Sequence, residues 1–239
     1  MNRKEKIILT ITGGAHLSVH ALMLALPSLI PIFMSEFNIG IDVLGVVVTI
    51  SAFMFGIGAI PSGWLESKIG GKTLLILYLF GSSFSAILVS ISNSFYLLVF
   101  GLGLLGLSSS IYHPAGLTLI SNRVNHITKG MAVHGIFGST GSAIGPVLAT
   151  TLALFISWRA SYATLGFFNC ALAIASILLI PSRKKAKDIE IMNNKKSANK
   201  TNRIALIFFY ITNLIMGFVY YGFTTFMPIH FAENTKEFL

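Results

Sequence analysis

The sequence predicts an all-α polytopic membrane protein, a six-helix bundle followed by a seventh transmembrane helix. Composition is the first reason. Of 239 residues, 54% are hydrophobic and only 10% are charged, against roughly 25% charged in an ordinary soluble domain. So few charges cannot cover a water-facing surface, so most of this surface must meet an apolar medium, and the lipid bilayer is the expected partner. The second reason is that the apolar residues gather in seven blocks. Each is long enough for the ~20-residue helix that crosses a ~30 Å hydrocarbon core with its backbone hydrogen bonds closed internally. The third is charge placement: fifteen of the seventeen Lys and Arg residues fall on one set of alternate links and two on the other. That asymmetry sets orientation in a membrane.

The blocks are Ile7–Met34, Val43–Ser62, Thr73–Ser92, Phe95–Ile120, Met131–Ile156, Ser161–Ile180 and Ile204–Phe231. The first follows a basic start, Met1–Lys6, as a signal peptide would. Gly13, Gly14, His16 and His20 interrupt a simple apolar region, however, and the block continues to Met34. An uncleaved first span is therefore expected. Pro27, Pro31 and Pro228 predict kinks or early ends in the first and last spans. The charge alternation places the N-terminus and the long loop after Pro181 in the cytoplasm, in a protein of the cell (cytoplasmic) membrane.

Residues 1–181 are expected to form the six-helix bundle and 182–203 a basic cytoplasmic linker carrying eight Lys and Arg. Residues 204–239 then read as the first helix of an incomplete second bundle. A weak repeat supports this: Pro31-Ile32-x-x-x-Glu36 closes the first span and Pro228-Ile229-x-x-x-Glu233 the seventh. Parallel repeats joined by a long cytoplasmic link are a transporter plan.

Several chemistries find no support. A net charge of +9 attracts phosphates in general, but the charge sits in short links without a basic groove, so no nucleic-acid partner is expected. The single cysteine, Cys170, lies inside an apolar block and reads as a packing residue. There is no Gly-rich phosphate loop, no Ser-His-Asp arrangement and no acid pair, so neither a cofactor nor a catalytic site is expected. All eight carboxylates fall in links or tails, so the usual proton-relay group of a membrane carrier is missing from the spans.

Histidines carry the remaining chemical signal. His16 and His20 are four apart and share a helical face. His113 sits mid-way along the fourth block and His134 near the inner end of the fifth. A polar group in hydrocarbon needs a cavity or a partner. An imidazole titrating near ~6.5 could carry a proton or pair with an anionic solute; it could equally hydrogen-bond to a neighbouring helix. A zinc site on the His16/His20 pair lacks a carboxylate or thiol beside it, so no metal is expected.

Glycines mark two further features. Gly135, Gly138, Gly141 and Gly145 recur at three- and four-residue steps, giving a smooth face for close helix approach, with Pro146 just beyond. Between the second and third blocks, Gly63, Gly70 and Gly71 predict a sharp turn, and Lys68 and Lys72 can pair with helix C-termini there. Trp158, at a span end, fits an interfacial anchor.

Four stretches carry a family resemblance. Gly63-Trp-Leu65-Glu-Ser67-Lys68-Ile-Gly70-Gly71-Lys72 resembles the cytoplasmic loop signature of the major facilitator superfamily, Gly-x-Leu-x-Asp-basic-x-Gly-x-basic. Gly141-Ser-Ala-Ile-Gly145-Pro146 resembles the core of that family's antiporter motif. Ser157-Trp158-Arg159 is similar to its Trp-Arg pair, and Ser110-Ile-Tyr112-His113-Pro114-Ala115-Gly116 looks like a segment of the fosmidomycin-resistance-like branch. Two positions depart: Ser67 stands where the loop motif has Asp, and Ala149-Thr150 where the antiporter motif ends in two glycines.

The resemblance maps the chain onto the first seven spans of a twelve-span plan. It implies a secondary active transporter, not an enzyme, moving a small solute by alternating access, with proton-coupled efflux of a drug-like or anionic compound as the narrower expectation. It also implies conformational roles for Gly63, Ser67, Lys68, Gly70, Lys72, Gly141, Gly145, Pro146 and Arg159. In that family spans one, four, seven and ten line the cavity, which would bring His16, His20, Tyr112 and His113 together with Asn213, Tyr220 and Tyr221. The further partner implied is the missing C-terminal half of the same carrier. Two alternatives stay open: a truncated carrier without transport of its own, and a His-dependent membrane enzyme.

Overall fold

Prolines decide where the apolar blocks break into helices. The computed structural model describes residues 1–181 and 203–234, so the expected linker, apart from Arg203, lies outside the described residues. The helices are α1 (Arg3–Ser28), α2 (Ile30–Phe37), α3 (Ile41–Ile69), α4 (Gly71–Ser90), α5 (Phe95–Ser109), α6 (Tyr112–Arg123), α7 (Ile127–Phe155), α8 (Trp158–Leu179) and α9 (Arg203–Asn234). Among the described residues there is no strand. Seven stretches are long and apolar enough to cross a membrane, α5 and α6 together counting as one. Contacts divide the chain into two compact units, Met1–Ile180 and Pro181–Leu239.

The first block becomes two helices because Pro31 has no N–H to offer the Pro27 carbonyl. The chain turns at Leu29, whose own N–H still closes α1 on Ala25 at 3.1 Å, and Pro31 sits in the first turn of α2. The same chemistry breaks the fourth block, expected as one span over Phe95–Ile120, into two helices. Pro114 cannot donate to Ser110, α5 ends with a tightened Ile111 N–H to Ser108 bond of 3.3 Å, and α6 restarts at Tyr112.

The turn between the second and third spans differs from expectation. Helix α3 runs on to Ile69, so Gly63 lies inside it, with nothing within 4 Å of where a side chain would be. The reversal is made at Gly70, whose φ of 79° is a left-handed value that favours glycine. Gly71 then opens α4.

In the first unit α1 is the most enclosed span, with 72% of its apolar window buried, against 22% for α7 and 28% for α3. It packs on α7, α8 and α6, while α4 packs on α8, α5 and α6, and α3 on α5. Ile8, Ile11, Ala15 and Val19 of α1 meet Leu74, Tyr78 and Leu79 of α4 and Leu119 and Ile120 of α6 in one core. A buried polar chain ties three helices through that core: Ser18 Oγ donates to Asn169 Oδ1, and Asn169 Nδ2 donates to Ser82 Oγ at 2.7 Å. Such side-chain bonds hold helices together where lipid removes the hydrophobic drive between them. Large apolar side chains such as Phe53, Ile60, Ile136, Val147, Phe167 and Leu178 are exposed, as a lipid-facing surface requires.

Each end of the bundle is closed by polar contacts. At one end Glu5 accepts from the backbone N–H groups of Asn2 and Asn125, at 2.8 and 2.9 Å, and Lys72 Nζ donates to Ile177 and Ile180 carbonyls at the C-terminus of α8. That is the helix-end pairing expected of Lys72. At the other end Arg159 meets Glu36 at 2.7 Å and donates to the Ser92 carbonyl at 2.8 Å, and Trp158 Nε1 also donates to Glu36. Burial pushes the Glu36 carboxyl up, but the bonds from Arg159 and Trp158 and the Arg159 charge outweigh it, holding it below the ordinary carboxylate value.

Candidate functional site

Beside the Ser18–Asn169–Ser82 chain, His16, His20, Tyr112, His113 and His134 form an aromatic cluster on α1, α6 and α7. On α1, His16 and His20 are one turn apart and point the same way. The restart of the fourth span at Tyr112 places Tyr112 and His113 in the first turn of α6. Helix α7 adds His134.

The rings are layered. His16 stacks on His134 with centroids 3.7 Å apart and planes 14° from parallel, and Tyr112 stacks on the His16 ring at 5.1 Å and 19°. His113 stands edge-on to His16 at 5.3 Å and to His20 at 6.1 Å. Room for the His16 ring comes from Gly138: a methyl group there would lie 2.7 Å from His16 Nδ1. Glycine on α7 is thus what lets an imidazole sit in this helix seam.

Hydrogen bonds fix the donors. His16 Nδ1 is 2.7 Å from the His134 carbonyl oxygen, which can only accept, so Nδ1 carries a proton. In the neutral ring His16 Nε2 is then an acceptor, and His20 Nε2, 3.1 Å away, donates to it. Tyr112 Oη donates to the Thr12 carbonyl at 2.6 Å. Having spent its one hydrogen, it accepts from His134 Nδ1 at 3.2 Å. The result is a hydrogen-bonded network of His20, His16, His134 and Tyr112 with His113 packed edge-on beside it; His20 and His113 are half-buried and the other three buried. Chemically it offers imidazole nitrogens that can bind an anion, a proton or a cation, set in apolar surroundings.

Of the expected site residues, the structure brings His16, His20, Tyr112 and His113 together. His134, left out of that set, belongs with them; the only sequence signal was that it is another histidine in an apolar block. Tyr220 and Tyr221 lie on α9 in the second unit, ring edge to ring face at 5.7 Å. Asn213 is also on α9, and its side chain lies outside the described residues.

The motif residues separate into different jobs. Gly141 and Gly145 lie where α7 crosses α1, against the Leu17 and Ala21 backbones, while Gly135 has nothing within 4 Å. At about 100° per residue Gly135 is well off the face that the other three share. Pro146 lies inside α7, which continues through it. Ser67 Oγ donates to the Trp64 carbonyl within α3, and Lys68 lies over the Trp64 ring at 5.6 Å.

The family model for the Major Facilitator Superfamily matches residues 11–237. Among curated relatives, the chain is 26% identical to an uncharacterized transporter of Buchnera aphidicola, over 89% of this chain and 53% of the relative. It is 24% identical to the inner membrane transport protein YnfM of Escherichia coli, over 72% of this chain and 42% of that protein. It is also 26% identical to the class H tetracycline resistance protein of Pasteurella multocida, over 87% and 52%. The chain spans about half the length of these relatives. With a family match over nearly its whole length and seven spans of the expected kind, this multi-pass membrane protein belongs to the Major Facilitator Superfamily.

Proposed function

We propose that the chain supplies the first six-helix bundle, and the opening helix of the second, of a secondary active transporter. It moves a small solute across the cytoplasmic membrane by alternating access, with the N-terminus and the basic linker on the cytoplasmic side. The observation that carries this is the cluster of His16, His20, Tyr112, His113 and His134, a polar group inside an apolar bundle where a span is broken. Broken helices at mid-membrane are where carriers of this plan bind their solutes, and intramembrane ionisable groups mark solute paths. Asn213, Tyr220 and Tyr221 of α9 are given a solute-binding role in this reading by the family resemblance alone. The Lys72 contacts and the Glu36–Arg159 pair lie within the first bundle and hold it as a unit that can rock as a body.

The finer reading is proton-coupled efflux of a drug-like or anionic compound. It is supported by the resemblance of Tyr112-His113-Pro114-Ala115 to the fosmidomycin-resistance-like branch and by the likeness to the Pasteurella tetracycline resistance protein. The second bundle completes the cavity in this reading, as the Pro-Ile-x-x-x-Glu repeat suggests. The test is flux in vesicles carrying the chain, alone and co-expressed with the C-terminal bundle of a full-length relative. Solute flux that collapses with the proton gradient, and falls at least about tenfold in H20A and H113A, is expected. Absence of flux in both arrangements, or flux unchanged in both variants, overturns the reading.

A further inference from the structure

The three histidines that face one another in the first unit have the makings of a metal site. His16, His20 and His113 each offer a ring nitrogen, and these atoms all lie within 4.8 Å of one another; they form the one such group among the described residues. From this geometry we propose that the protein binds one first-row transition-metal dication, of the cobalt-to-zinc class, through His16, His20 and His113. The inference stands on the first unit alone and does not depend on transport.

Spacing comes first. Two nitrogens on a tetrahedral metal at 2.0–2.1 Å are about 3.3 Å apart. His16 Nε2 and His20 Nε2 are already 3.1 Å apart, so a metal between them needs only a slight opening. Histidines at i and i+4 on one helical face are a recurrent pair of metal ligands for this reason. The third edge closes by swinging the half-buried His113 ring, which lies edge-on to both.

Orientation is the stronger argument. A metal-binding histidine usually donates its other ring N–H to a carbonyl or carboxylate, which fixes the tautomer and aims the lone pair. His16 does this: Nδ1–H donates to the His134 carbonyl at 2.7 Å, leaving Nε2 directed at His20. The His134 ring, stacked on His16 and hydrogen-bonded to Tyr112, holds that geometry without being a ligand itself. The metal takes the place of the hydrogen bond between the two Nε2 atoms, and the His20 proton shifts to its own Nδ1, so that both rings coordinate as neutral imidazoles.

Donor chemistry selects the ion. Three neutral imidazoles suit cobalt, nickel, copper and zinc and disfavour magnesium and calcium, which require oxygen. Three ligands leave a coordination position open for water or a small anion, and an anion there offsets part of the charge of a dication in apolar surroundings.

The test is a titration of the untagged, metal-stripped chain in detergent with Co2+, read by the visible ligand-field absorption of low-coordinate cobalt, followed by Zn2+ displacement. We expect one saturable site per chain, weakened more than about tenfold in H20A and in H113A and unchanged in H126A and H230A, whose histidines lie outside the cluster. Helical circular dichroism matching the parent confirms that H20A and H113A are folded. H16Q serves as a third variant. Absence of a saturable site, or a site that survives in both folded H20A and H113A, overturns the proposal.

Discussion

Substituting Gly141 by alanine probes the α1–α7 seam that positions the histidine cluster. The added methyl group would lie 2.7 Å from Leu17 Cα and 2.8 Å from its carbonyl carbon, where 3.4 Å is the start of ordinary contact. The Leu17 carbonyl oxygen is closer still; all are backbone atoms, so no side chain can swing aside, and the helices must part by more than the 0.7 Å shortfall at Cα, or tilt. Overpacking of this kind costs about 1–3 kcal/mol. Alanine returns about 1 kcal/mol through its better helix propensity, leaving a net loss of up to about 2 kcal/mol. Gly135→Ala is the internal control, because nothing lies within 4 Å of its added methyl group. It gains the propensity term without the clash. Reversible unfolding of the detergent-solubilised protein, followed by helical circular dichroism, should move the two variants in opposite directions. If both variants shift stability the same way and by similar amounts, the seam is not close-packed through Gly141 and the reasoning fails.

Two further outcomes follow from named contacts. Tyr112→Phe removes the bond to the Thr12 carbonyl, which keeps its intrahelical partner, and strands His134 Nδ1–H, which donates to the lost hydroxyl. It should cost about 1–3 kcal/mol in the same unfolding measurement, and Co2+ affinity should fall as His134 loosens. Glu36→Gln removes the ion pair with Arg159, whose members are about one-third exposed, so the expected loss is about 0.5–1 kcal/mol near neutral pH. Because Glu36 is held below its ordinary value, its contribution is fully present above that value. It is lost as pH falls through the lower folded value. The stability gap between parent and variant should therefore be flat at neutral pH and close in acid. A gap that widens in acid would show that the carboxylate is not the stabilising partner.

Much of the architecture is legible locally. Helix positions follow from the length of the apolar blocks, and the Pro27/Pro31 break follows from a missing N–H. The Pro114 break has the same cause, and the polar run Ser108-Ser109-Ser110 with Tyr112-His113 beside it marks the place. Gly63 misleads in the other direction. It reads as a turn residue, yet the apolar and amphipathic residues around it favour helix through Ile69, and only Gly70 adopts a positive φ. His16 and His20 could be paired from their spacing alone.

Hydropathy and charge by themselves determine that the chain crosses a membrane repeatedly, and roughly where, because both are properties of short windows. Which spans touch is decided only in the tertiary structure. His134 is 118 residues from His16 in sequence, yet its carbonyl fixes the His16 tautomer. That meeting depends on glycines at 138, 141 and 145 letting two backbones come together. The sequence supplies the imidazoles one helix at a time, and packing of α1 against α6 and α7 turns them into one site, because close approach is a property of pairs of helices.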